Sequence, residues 1–235
     1  MHRAGNERST QLLPKAISEE FVRLGGRPES PLQSIQNTLQ SIGIIANDER
    51  LLSYSDETEW YRGGAETYAS IFKATTQANP VDIHYHIICK AIVKWGIGAD
   101  QVATSWLQRQ LRLSAFGVCT PRHYGNWKGI FFQEFITFEL KDYLQSVPAE
   151  KKLRMALDLL DTARRVDKAG FKPSSFLHDI RTDGSAIFIV DFGEDLGHFS
   201  DGQQGNISFN RTMSWLKNNF EDMVFEIESL RKEGA

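Results

Sequence analysis

The segment "SSFLHDIRTDGSAIFIVDFGEDLG", residues 174–197, constrains the fold more than any other part of the chain. Five consecutive apolar residues, Ala186 to Val190, run directly into Asp191, Phe192 and Gly193. Such a run reads as a buried strand. Asp183-Gly184 just before it is a hairpin signal, because both residues tolerate the positive φ of a tight strand connection. The segment therefore predicts two strands, "SSFLHDIR" and "AIFIVDFG", joined by "TDGS". Where the second strand ends, Asp191 sets a carboxylate between the sheet and an open cleft, and Gly193 lets the chain turn away sharply. A carboxylate with one open side can hold magnesium, which is bound by one or two carboxylates together with phosphate oxygens and water.

The rest of the chain alternates two kinds of pattern. Within the first fifty residues, "PKAISEEFVRLGG" ends in a glycine pair and "SPLQSIQNTLQSIGII" begins with serine then proline, the order of a helix start. From about Leu51 the pattern changes. Gly63-Gly64 separates two stretches rich in β-formers, and "VDIHYHIICKAIV" alternates over a strand that carries Lys90 near its end. "ADQVATSWLQRQLRLSAFG" reads as a helix stopped by Gly117, "WKGIFFQEFI" as a strand opened by Gly129, and "PAEKKLRMALDLLDTARRVDKAG" as a long helix stopped by Gly170. The tail "FNRTMSWLKNNFEDMVFEIESLRKE" reads as one amphipathic helix with Trp215, Phe220, Met223 and Phe225 in the core.

Composition excludes several functions. The 27 basic and 30 acidic residues nearly cancel and form no basic block, so nucleic acid is not expected as the main partner. The first residues lack the apolar core of a secretory signal, and no stretch approaches the roughly 20 apolar residues of a membrane span, which predicts a cytoplasmic protein. Cys89 and Cys119 lie in apolar surroundings and form no CxxC pair, so they read as reduced, buried packing residues. His84 and His86 share a strand face at a spacing that suits zinc, without a third ligand evident. No Gly-x-Ser-x-Gly turn marks a serine nucleophile.

The order of parts, a glycine hairpin, a strand lysine, a helix, a strand with "QEFI", a long helix, a hairpin and Asp191-Phe192-Gly193, resembles the protein-kinase-like superfamily. The resemblance is nearer to its compact aminoglycoside and lipopolysaccharide kinase branches. It spans about residues 58 to 195, and its most specific pieces are "HIICK", "FFQEFI" and "IFIVDFG". It implies that Gly63 and Gly64 cover ATP phosphates, Lys90 bridges them, Ile88 lies against adenine, the backbone from Glu134 to Ile136 hydrogen-bonds the base, and Asp191 binds magnesium. Gln108 or Gln110 stands where the family has a glutamate paired with the lysine.

Two registers remain for the loop that carries the family's catalytic base. In one, "GFKPSSFL" is the loop, Ser175 replaces the metal-binding asparagine and Gly170 falls at the aspartate position. In the other, His178-Asp179 supplies the base. Asp167, Lys172 and Asp179 are the groups near enough in sequence to act in its place.

The expected fold is α+β and two-lobed, with a helical extension over 1–50, a β-rich lobe over 51–136 and a mainly helical lobe over 137–235. The expected activity is ATP- and magnesium-dependent transfer of the γ-phosphate to a hydroxyl of a small molecule or of one particular protein. The alternative is a pseudokinase, a nucleotide-binding or regulatory interaction module. No sequence signal sets the oligomeric state.

Overall fold

The computed structural model describes residues 31–41, 43, 45–53, 61–62, 67–76, 85–92, 98–127, 129–173, 177–178, 180–193, 196–197 and 205–233. It is an α+β protein whose described strands all pair antiparallel. The chain divides into two compact units, Met1–Ser105 with Arg122–Phe135, and Trp106–Pro121 with Ile136–Ala235.

The first unit begins, in its described part, with helix α1 (Pro31–Ser41), which opens on proline as its sequence predicts. Six strands follow: β1 (Glu49–Ser53), β2 (Tyr61–Arg62), β3 (Thr67–Thr76), β4 (Tyr85–Ile92), β5 (His123–Trp127) and β6 (Ile130–Glu134). They form one sheet in the order β1-β3-β4-β6-β5, with β2 also on β3. The apolar run of β6 is buried from Ile130 through Gln133, as a strand interior to a sheet requires. Gly129, with φ 75°, makes the turn into β6 and donates its N–H to Asp100 Oδ1 at 2.6 Å. The segment "PKAISEEFVRLGG" lies outside the described residues.

Helix α2 (Ala99–Ala115) belongs to the first unit through Ser105 and to the second from Trp106 onward. The second unit adds β7 (Phe138–Glu139), α3 (Leu140–Ser146), α4 (Ala149–Lys168), β8 (Ile180–Thr182), β9 (Ile187–Ile189), α5 (Ile207–Asn219) and α6 (Glu221–Glu233). Its sheet runs β7-β8-β9. Helix α4 buries Met155, Ala156, Leu159, Leu160, Ala163 and Val166, the stripe its 3.6-residue spacing predicts.

Helices α2 and α4 end in the same way. Gly117 and Gly170 adopt φ 76° and 83°. Val118 N–H then reaches back to Leu113 O, and Phe171 N–H to Val166 O, each in a Schellman closure that buries the apolar residue after the glycine. The two ends are capped reciprocally. Arg112 of α2 donates from Nε to Ala169 O at 2.5 Å, and Arg165 of α4 donates to Gly117 O at 2.6 Å. A guanidinium at a helix C-terminus meets both orphan carbonyls and the negative end of the dipole.

Two expectations are corrected here. The tail is two helices, broken at Phe220, whose φ of −150° leaves the helical region. Phe220 packs edge-on against Trp215 at 5.5 Å and carries the Lys152 ammonium over its ring. In the helix after the break Met223, Val224 and Ile227 are buried, while Phe225, two residues from Met223 and so on the opposite side, is 81% exposed instead of packed. Cys119 is also exposed and not buried. In the segment after Gly117, Val118 and Pro121 are buried while Cys119 faces outward and Thr120 is half-buried, so apolar residues around the thiol occupy the core and the thiol does not.

Candidate functional site

The site begins with the hairpin of β8 and β9, paired in the register Ile180↔Ile189, Arg181↔Phe188 and Thr182↔Ile187. Its turn is closed by side chains. Asp183 Oδ1 accepts the N–H of Ser185 at 2.7 Å, that of Ala186 at 2.9 Å and the Ser185 hydroxyl at 2.8 Å. Thr182 Oγ1, fully buried, accepts Gly184 N–H and donates to Ala186 O. Burial pushes the Asp183 carboxyl upward, but the bonds from Ala186 and Ser185 outweigh it and hold the group below its ordinary value. Gly184, at φ 93°, is required twice over, since a Cβ would lie 2.7 Å from the Tyr143 hydroxyl.

Strand β9 stops at Ile189, two residues before Asp191. Asp191 is half-buried, and its Oδ1 accepts Gly193 N–H at 3.1 Å. Phe192 is inserted into the core at 1% exposure. Gly193 O accepts Leu196 N–H at 3.2 Å, and Leu196 O accepts Lys172 N–H at 3.2 Å. These bonds tie the chain after Asp191 to the segment Phe171–Pro173. Arg109 of α2 reaches the same turn, donating to Phe192 O at 3.0 Å and also to Gly193 O. The short segment after α2 lies beside β9, where Ile189 N–H donates to Cys119 O at 3.1 Å.

Asp191 suits a magnesium ion chemically. It is a hard oxygen donor, partly open, with one oxygen engaged by a backbone amide and the other met by no partner among the described residues. Among the described residues, no group of three or more His, Cys, Asp or Glu side chains forms a closed metal site. A single carboxylate matches an ion that takes its remaining ligands from phosphate and water.

The other predicted positions fall as follows. In the first unit, the register sets Ile88 opposite Ile71 and Gln133, Lys90 opposite Ala69 and Phe131, and Ile87 opposite Glu134. Glu134 pairs with Arg122 twice, donating its N–H to Arg122 O at 2.8 Å and accepting Arg122 N–H on Oε2 at 3.1 Å. In the second unit, Ile136 is buried and its carbonyl accepts the Arg181 guanidinium at 3.4 Å. Gln108 is exposed, whereas Gln110 is 4% exposed and donates to Pro121 O at 2.5 Å. Gly63, Gly64, His84, Ser175 and Asp179 lie outside the described residues.

Asp167, one of the groups considered near the base position, is otherwise engaged. Its Oδ1 accepts Ser208 N–H at 2.9 Å and its Oδ2 accepts Phe209 N–H at 3.2 Å, so the buried carboxylate caps α5. Gly170 has a purely conformational reason to be glycine, its positive φ at the end of α4. Sequence reading missed both Arg109 and the capping role of Asp167, since each depends on a partner more than forty residues away. It also missed His123. That ring lies 4.4 Å from Phe131, its Nδ1 is buried without a partner among the described residues, and burial lowers its pKa against a weaker opposing hydrogen bond to Phe132.

No protein-family model matches the chain, and no curated protein matches it either. No described helix is long and apolar enough to cross a membrane.

Proposed function

We propose that the chain is an ATP-dependent phosphotransferase of the protein-kinase-like fold, which moves the γ-phosphate to a hydroxyl of a small molecule or of one particular protein. The observation that carries this reading is the Asp191 turn. A strand ends, a half-buried carboxylate follows with one oxygen on the Gly193 amide, and Phe192 anchors the turn in the core. In this reading Asp191 holds magnesium, Lys90 meets the phosphates beneath Gly63-Gly64, Ile88 lies against adenine, and the backbone from Glu134 to Ile136 meets its edge. Ser175 and Asp179 stand as second metal ligand and base. The division of the chain between Phe135 and Ile136 is in keeping with a strand-rich lobe and a helical lobe.

A second reading, a pseudokinase that binds nucleotide without transferring phosphate, is favoured by one specific observation. The position that the first loop register gives to the base is Gly170, and the nearby Asp167 has both oxygens committed to α5. General-base assistance contributes roughly 10² to 10⁴ in rate, whereas phosphoryl transfer rests mainly on positioning and electrostatics, so its loss slows the reaction without removing it.

The test is thermal unfolding of wild type and Asp191→Ala, each with ATP alone and with ATP plus magnesium. Selective binding to the folded state adds about 2.7 kcal/mol at a hundredfold excess over Kd. A magnesium-dependent rise in wild type that Asp191→Ala lacks supports a nucleotide site, and no response in either protein overturns both readings. Release of labelled phosphate from γ-labelled ATP then separates the phosphotransferase from the pseudokinase.

A further inference from the structure

The Asp191 turn is held from a direction that the sequence does not announce. Successive carbonyls of an extended strand point to opposite sides, yet the carbonyls of Phe192 and Gly193 both accept Arg109 Nη1. Only a turned backbone brings two neighbouring acceptors onto one donor group. Gly193 is therefore fixed three ways: its N–H on Asp191 Oδ1, its carbonyl on Leu196 N–H, and the same carbonyl on Arg109. Buried Phe192 fixes the residue between them.

The planar, permanently charged guanidinium is suited to bridging two acceptors, which a lysine ammonium meets only as a point charge. The part of α2 where an acid or glutamine partner for Lys90 was expected instead sends a cation to the turn, while Gln108 is exposed and Gln110 is bonded to Pro121.

We propose that Arg109 is a positioning residue, which holds the Phe192–Gly193 backbone so that Asp191 keeps one carboxylate oxygen for the divalent cation carried by the nucleotide. This rests on the nucleotide reading above. Arg112 supplies a matched control, because it lies on the same helix and also donates to a backbone carbonyl, that of Ala169, and lies over the Phe171 ring, with no bond to Asp191, Phe192 or Gly193 among the described residues.

The experiment combines NMR-detected amide exchange at Gly193 and Leu196 with the magnesium concentration that half-restores stabilisation by ATP, in wild type, Arg109→Leu, Arg109→Lys and Arg112→Leu. In Arg109→Leu, exchange at both amides rises at least tenfold and the magnesium midpoint rises at least tenfold. Arg109→Lys falls between, stabilisation by ATP without magnesium is unchanged, and Arg112→Leu alters neither readout despite losing stability. Unchanged exchange in Arg109→Leu overturns the proposal. So does a magnesium midpoint that stays put, or one that moves equally in Arg112→Leu, the mark of a merely structural role. If wild type shows no magnesium-dependent response while Arg109→Leu still speeds exchange, the nucleotide reading falls and takes the cation role of Asp191 with it. If wild type responds and Arg109→Leu behaves normally, only the role of Arg109 falls. Should Arg109→Leu not fold, Arg109→Lys carries the same two readouts.

Discussion

Strand β9 has an aspartate turn at each end, and the two differ in what is left over. At Asp183 one oxygen receives three donors, and a buried threonine hydroxyl closes the loop beneath it. At Asp191 one oxygen receives a single backbone amide, and the turn is held instead by Phe192 from within and Arg109 from the side. The first carboxylate is spent on its own backbone. The second is positioned by other groups and retains coordinating capacity, which is what a ligand-binding carboxylate requires.

The comparison predicts a graded series of effects. Phe192→Ala removes a fully buried ring from one turn only and should cost about 3–5 kcal/mol in urea unfolding. A cost under about 1 kcal/mol would mean that the Asp191 turn is not anchored from the core. Gly184→Ala forces a Cβ into the left-handed region and against Tyr143, so a loss of about 1–2 kcal/mol is expected, relieved in part by pairing it with Tyr143→Phe. Asp183→Ala should cost about 1 kcal/mol by releasing its donors, while Asp191→Ala costs about half as much and removes the response to magnesium and ATP. Equal costs for the two alanine variants would erase the distinction drawn between the turns.

The smallest effects concern pH. The Asp183 carboxyl lies below its ordinary value in the folded state, so its contribution is present above about pH 4 and is lost as pH falls through the folded pKa. Asp183→Asn should flatten that acid limb of an unfolding-midpoint profile. His123 is also lowered, by burial, which means the unfolded chain binds its proton first and stability declines as pH falls below about 6.5. His123→Gln should remove that decline, and a profile unchanged by the substitution would place the pH sensitivity elsewhere.

Much of this was legible in the chain because the signals are local. Gly117, Gly129, Gly170 and Gly184 all adopt the positive φ that their positions at helix stops, a strand start and a hairpin suggested. The apolar stripe of α4 and the hairpin before Asp191 follow from periodicity and from the Asp-Gly pair. What failed had a tertiary cause. Trp215, Phe220, Met223 and Phe225 read as core residues of one helix, but Phe220 leaves the helix to meet Trp215, and Phe225, two residues from buried Met223 and so on the opposite side of its helix, is turned out to solvent. Cys119 sits between buried Val118 and buried Pro121 in sequence, and its own side chain faces outward.

The sequence by itself determined where helices stop, where the hairpin turns and which residue types could serve magnesium and phosphate, because those depend on φ preferences, periodicity and functional groups. Only the tertiary structure decided how individual charges are used. Asp167 and Asp191 are both aspartates beside plausible loops, yet one caps α5 with both oxygens and the other keeps an oxygen open. Arg109, Arg112 and Arg165 carry no local signal of a partner, and folding sets each against carbonyls of a distant turn or helix end. The physical reason is that a side chain's partner is chosen by the desolvated donors and acceptors that packing brings near it, and that choice is absent from any local pattern.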